Sequence, residues 1–180
     1  DDTLAAHDVD SALEAAERDL LRVAGFETED ERLAVALEDF DLLQDFSAPE
    51  IAALRVHLAP VELKAGETIV ANGDAADRFY FLERGSVEVR IATEDKDDWV
   101  RLGTIDAGNV FGEVAVFGGG KRTADVVART AVTLLSLPLA HLHILFEREP
   151  VLHSRLLVAV GSNLAERLRR ANTEIRALAS

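Results

Sequence analysis

The sequence contains no cysteine and no methionine, and only one Trp, one Tyr and four Pro among 180 residues. Without cysteine there is no disulfide framework, no thiolate metal site and no cysteine nucleophile. No apolar run approaches the ~18 residues that a membrane-spanning helix needs. No basic-then-apolar leader opens the chain. Basic residues are few: 19 Lys and Arg face 33 acids, a net charge of −14. That balance argues against a nucleic-acid binder of the simple basic kind. A chain that begins at Asp1 and lacks Met is expected to be part of a longer protein. What is present is apolar content, at 48% of residues enough for a real core. The length fits one domain with flanking helices.

The charge is uneven. Residues 1–50 hold 16 acids and 3 bases, whereas residues 51–180 hold 17 acids and 16 bases. The acidity therefore belongs to the front of the chain. Part of it has a structural reason, because acids in the opening turn of a helix suit the helix dipole.

The front reads as helix. Ser11-Ala12-Leu13-Glu14, Thr28-Glu29-Asp30-Glu31 and Ser47-Ala48-Pro49-Glu50 each have the capping-box form. Leu33, Ala36, Leu37, Phe40 and Leu43 are spaced as the apolar stripe of a second helix. Ile51, Leu54 and Leu58 form a third, closed by Pro60. From Val61 the period changes to short β-prone runs, punctuated by Gly66, Asn72-Gly73, Gly85, Gly103 and Gly108. Glu94 to Asp98 is a polar loop tip. Pro138 opens a short helix and Pro150 a long one, with a stripe through Leu152, Leu156, Val160, Leu164 and Leu168. The fold class expected is α+β, mainly β: an antiparallel, jelly-roll-like β-roll between N-terminal and C-terminal helices. The expected division is a linker helix over 1–24, a helical bundle over 25–60, the β-roll over 61–137 and C-terminal helices over 138–180.

One stretch breaks the strand rhythm, from Phe111-Gly112-Glu113-Val114-Ala115 through Gly118-Gly119-Gly120-Lys121 to Arg122-Thr123-Ala124. A short helical turn entered through Gly112 offers free N–H groups to an anion. Arg122 adds a planar, permanently charged fork matched to phosphate oxygens. A buried Glu113 needs hydrogen-bond donors, and a ribose hydroxyl is one. The residues point to a sugar-phosphate pocket. A P-loop is excluded, because Ala115 stands where the pattern needs Gly and Arg122 where it needs Ser or Thr. His141 and His143 diverge on a helix and have no third ligand nearby in sequence. No catalytic constellation is present, so no enzyme activity is expected of this chain.

This segment resembles the phosphate-binding cassette of cyclic nucleotide-binding domains, found in catabolite activators, nucleotide-gated channels and nucleotide-dependent kinases. The shared marks are Phe111-Gly112-Glu113-Val114-Ala115, Arg122-Thr123-Ala124, and the upstream glycines with Phe79-Tyr80-Phe81-Leu82. The resemblance covers about residues 40–178. It implies that Glu113 accepts a bond from the ribose 2′-hydroxyl and that Arg122 pairs with the cyclic phosphate. Backbone N–H groups around Gly112, Glu113, Val114, Thr123 and Ala124 would complete the cradle. Leu102 and Ile105 would wall the base, and the long C-terminal helix would be a lid bearing Asn163, Arg167 and Leu168. Arg122→Ala is expected to spare the fold and cost affinity. Thr123 matches kinases that favour cyclic GMP, while bacterial members with Ser or Thr here use cyclic AMP; cyclic AMP is the expected ligand and cyclic GMP the alternative. No cofactor beyond the ligand is implied. Lys121 departs from the family, where Pro is frequent.

Two rival readings stand beside this one. The domain could be a ligand-free adaptor in which Glu113 and Arg122 simply pair. It could also be a truncated transcription regulator of the catabolite-activator type, although no helix-turn-helix or basic recognition surface stands in this sequence. Residues 8–21 resemble the last helix of a STAS domain, a module that precedes a cyclic nucleotide-binding domain in some bacterial sulfate-permease-type transporters and glutaminases. That likeness implies a cytoplasmic regulator attached to a transporter or enzyme effector domain, with no nucleic-acid partner and no membrane insertion of its own. A homodimer is compatible with it.

Overall fold

The computed structural model describes residues 34–93, 99–118 and 120–178. The linker helix over 1–24, the STAS-like stretch and the loop tip at 94–98 lie outside the described residues. Two 3-10 turns, Leu37–Asp39 and Asp41–Leu43, lead into helix α1 (Ala48–Arg55). Eight strands follow: β1 (Ala59–Leu63), β2 (Thr68–Val70), β3 (Arg78–Arg84), β4 (Ser86–Ala92), β5 (Trp99–Asp106), β6 (Val110–Phe111), β7 (Asp125–Ala128) and β8 (Val132–Pro138). Helix α2 (Glu113–Phe117) interrupts them, and α3 (Leu139–Arg148) and α4 (Pro150–Leu178) close the described chain. The strands form two four-stranded sheets, β1-β8-β3-β6 and β2-β7-β4-β5, with every pairing antiparallel. This is the expected β-roll.

Side-chain alternation decides how the sheets are covered. On β3, Phe79 and Phe81 enter a core shared with the helices, while Tyr80 and Leu82 enter the core between the sheets. β8 divides the same way, with Leu135 and Leu137 on the helix side and Val132 and Leu134 inside. A strand buried on both faces reads as a continuous apolar run, as Phe79 to Leu82 does. Phe40 meets Phe81 edge-on at 5.5 Å between ring centroids.

Two expectations need correction. The stripe Leu33 to Leu43 is not one helix in its described part, because Phe40 is extended between two turns. On a continuous helix Leu42 would lie about 200° from Phe40; the break lets Leu37, Phe40, Leu42 and Leu43 all enter the core. Pro60 does not close a helix either. It sits in β1 opposite Leu135, on an edge strand, where a missing N–H is tolerated. The capping box at Ser47 does form: its N–H and hydroxyl both donate to Glu50 Oε2, at 2.8 and 2.6 Å.

The corner glycines Gly66, Gly73, Gly85, Gly108 and Gly112 all have positive φ, between 83° and 88°. At Gly85 a Cβ would also stand 2.4 Å from the Ala131 carbonyl oxygen, so both conformation and space require glycine there. Among the described residues no helix is long and apolar enough to cross a membrane.

Candidate nucleotide-binding site

The cassette is built around two buried charges of opposite sign. β6 delivers the chain to Gly112, which caps α2 with a left-handed φ of 84°. A Cβ on Gly112 would lie 2.8 Å from Arg122 Nη1. Glycine is thus required for the turn and for the approach of Arg122 alike.

Arg122 is 4% exposed. Its Nη1 donates to the Gly112 carbonyl at 3.0 Å and its Nη2 to the Arg78 carbonyl at 2.6 Å. Asp77 Oδ1 lies 3.8 Å from Nη2, and the Tyr80 ring centroid 6.0 Å from the guanidinium carbon. The backbone of Arg122 is clamped as well. Its N–H donates to the Asp74 carbonyl and its own carbonyl accepts from Gly73 N–H, at 2.8 and 2.9 Å. The Gly73 turn and the cassette therefore hold each other. Asp77 is kept below the usual carboxylate range, first by its hydrogen bond from the Arg78 side chain and to a smaller degree by the charge on Arg122.

Glu113 is 1% exposed. Its Oε1 accepts from Arg167 Nη1 of α4 at 2.8 Å, and that nitrogen also lies 3.4 Å from the Val110 carbonyl oxygen. Its Oε2 is buried without a partner among the described residues. An acceptor left in that state costs about 1–3 kcal/mol relative to a satisfied one. Burial pushes the Glu113 carboxyl above its ordinary range, opposed by its own backbone N–H and by Arg167. Glu113 and Arg122 thus have separate partners, and the direct pair of the adaptor reading is not what holds Glu113.

A cavity of about 850 Å³ lies between the 41–46 segment, the end of β5 and α4. Ile105, Asn109, Asn163 and Arg167 are on its wall. Four acids (Asp41, Asp45, Asp106 and Glu166) line it against two bases, Arg155 and Arg167. Such a wall suits a polar, uncharged group better than a phosphate.

The sequence-predicted residues fall into three groups. Gly112, Glu113 and Arg122 converge at the cassette, where Val114 and Thr123 are exposed and Ala124 is half-buried. Ile105, Asn163 and Arg167 share the cavity. Leu102 and Leu168 do not line it and are 60% and 64% exposed, which corrects their assignment to wall and lid. The ladder steps from Val89↔Gly103 to Arg90↔Arg101, so Leu102 falls out of register. Leu168 is turned about 100° from Arg167 around the helix. Sequence reasoning missed Asp77 and the Arg78 carbonyl. The Asp77-Arg78 doublet before β3 was visible, but nothing in it announced a partner 44 positions later.

An antiparallel roll with this cassette beneath a C-terminal helix defines a small-ligand-binding domain. The chain belongs to the cyclic nucleotide-binding domain family, whose pattern matches residues 60–149. It is 35% identical over 144 residues to Glutaminase 1 of Bradyrhizobium diazoefficiens, covering 80% of this chain and 22% of that protein. It is 31% identical over 135 residues to a CRP-like cAMP-activated global transcriptional regulator of Mycobacterium tuberculosis, covering 74% of this chain and 58% of that one. Among solved structures, it matches the N-terminal domain of a transcriptional regulator from Streptomyces coelicolor A3(2) with a TM-score of 0.61 and 31% identity, over 73% of this chain and 91% of that one. The chain spans between a fifth and three-fifths of the length of these two curated relatives.

Proposed function

We propose that this domain binds a cyclic nucleotide, cyclic AMP in preference to cyclic GMP, and passes occupancy to an attached effector domain through α4. The single observation that carries the reading is Glu113: a buried carboxylate, pinned on one oxygen, with the other waiting for a donor. A ribose 2′-hydroxyl supplies such a donor. Two of the five N–H donors of Arg122 engage backbone carbonyls; the rest of the fork is what a phosphate would meet, in competition with Asp77. The backbone of Gly112, Glu113, Val114, Thr123 and Ala124 would complete the cradle. The Ile105 and Asn163 cavity offers the base an apolar contact and an amide. The glycine-rich segment around Gly118 and Gly120 gives the cassette room to re-form around the ligand. Likeness to Glutaminase 1 and to a cAMP-activated regulator supports a regulatory, non-catalytic role within a larger cytoplasmic protein.

Thermal denaturation with each nucleotide tests this. Ligand at 100 times its dissociation constant stabilises by about 2.7 kcal/mol. Cyclic AMP is expected to raise the midpoint more than cyclic GMP at equal concentration. No shift with either at millimolar levels contradicts the reading. Arg122→Ala is a poor control, contrary to the expectation from sequence, because it strips the donor from the Gly112 and Arg78 carbonyls and so costs stability too. Arg122→Lys keeps the charge and is the better variant.

A further inference from the structure

Arg167 sits on α4, far in sequence from the cassette, yet its Nη1 is 2.8 Å from Glu113 Oε1. The same nitrogen reaches the Val110 carbonyl at the end of β6. Its side chain is 42% exposed while that of Glu113 is 2% exposed, so a solvent-facing helix sends one charge into the roll. The second oxygen of Glu113 has no partner among the described residues, although the group is almost wholly buried. Glu113 is thus shared: one oxygen belongs to α4 and one is unclaimed.

We infer that Arg167 is a positioning residue that fixes Glu113 with Oε2 free for a ligand hydroxyl, so that ribose recognition and the seating of α4 depend on one carboxyl group. The inference rests on the proposed function and adds which residue sets preference for a ribo- over a 2′-deoxyribo-ligand. With Oε1 taken, the carboxylate cannot rotate to offer both oxygens and accepts one donor in a fixed direction. A ligand hydroxyl on Oε2 and Arg167 on Oε1 favour the same orientation of Glu113. Each therefore strengthens the other, which is a reciprocal coupling between ligand and helix.

The test is calorimetric binding of cyclic AMP and 2′-deoxy cyclic AMP to the wild type, Glu113→Gln, Arg167→Ala, Arg167→Lys and the Glu113→Gln/Arg167→Ala double variant. All are compared below their melting transitions. The wild type is expected to prefer the ribo-ligand by about tenfold or more, the scale on which a buried acceptor loses its donor. Arg167→Ala is expected to lose most of that preference, the double variant no more than Glu113→Gln alone, and Arg167→Lys to recover part of it. An Arg167→Ala variant that weakens both ligands equally, keeping the wild-type ratio, overturns the inference and leaves the proposed function standing. A wild type that binds both ligands equally also overturns the inference, while nucleotide binding survives. A wild type that binds neither nucleotide overturns both.

Discussion

The two halves of α4 are held in different ways. The first half, from Pro150 to Val160, is welded to the body. Leu152, Leu156 and Val160 are at most 4% exposed and join the core with Phe79, Phe81 and Leu137. Arg155 donates to Glu50 at 2.5 Å and to the Asp45 carbonyl, with its guanidinium over the Phe46 ring. The second half, from Gly161 onward, offers Leu164 partly to that core and then Arg167 to Glu113, while Leu168 is 64% exposed. Apolar burial fixes the first half whatever the site contains. The second half is tied in by a buried, half-satisfied carboxylate, which is also the group a ligand would address. One continuous helix therefore joins a permanent anchor to a contact that responds to the site.

The largest expected effect separates the halves by stability. Leu156→Ala opens a void in the shared core and should destabilise the domain by about 2–5 kcal/mol in urea unfolding, with or without nucleotide. Arg167→Ala should cost less, about 1–2 kcal/mol, because its own head is partly solvated while Glu113 loses its counter-charge. That loss should disappear when Glu113→Gln is added, since a neutral amide needs no cation.

Glu113→Gln alone sharpens the comparison through pH. Burial raises the Glu113 carboxyl in the folded state, so the folded protein binds more protons than the unfolded one between the two values. Stability from this group is then full below the ordinary glutamate range and falls as pH rises through the raised value. The stability of Glu113→Gln relative to wild type should therefore climb with pH across that window, as read by melts in a buffer series. A difference that is flat with pH would break the assignment of Glu113 as a strained, buried carboxylate.

The smallest effect concerns the junction. A Cβ at Gly161 would meet nothing within 4 Å. Gly161→Ala should stabilise the domain by up to about 1 kcal/mol through helix propensity alone. It should also stiffen the joint between the halves. A destabilised Gly161→Ala would mean that the joint must bend in the native state.

Much of this was legible in the sequence, and the reasons are local. Capping boxes, corner glycines and the cassette are short-range signals, each fixed by a few consecutive residues. Ser47 to Glu50 and Gly112 to Glu113 behave in the structure as their chemistry requires. The stripe of α4 was readable too, but not where it would stop. Leu168 has the right spacing and the wrong surroundings, because the body of the protein ends beneath Leu164. Phe40 failed for the opposite reason: its neighbours offered more core than one helical face can reach. The partners of Arg122 were invisible because they are backbone carbonyls brought in by the roll. Arg167 was placed on the lid from the helix alone. That it pairs with Glu113 follows only from the packing of α4 against the cassette.

The most direct test of this account is hydrogen exchange along α4 with and without saturating cyclic AMP. Amides beyond Gly161 should gain protection when nucleotide binds, while those from Pro150 to Val160, already locked by the core, should not change. That gain should vanish in Arg167→Ala. Equal protection of both halves, or a gain that survives the loss of Arg167, would contradict the claim that Glu113 links the ligand to the helix.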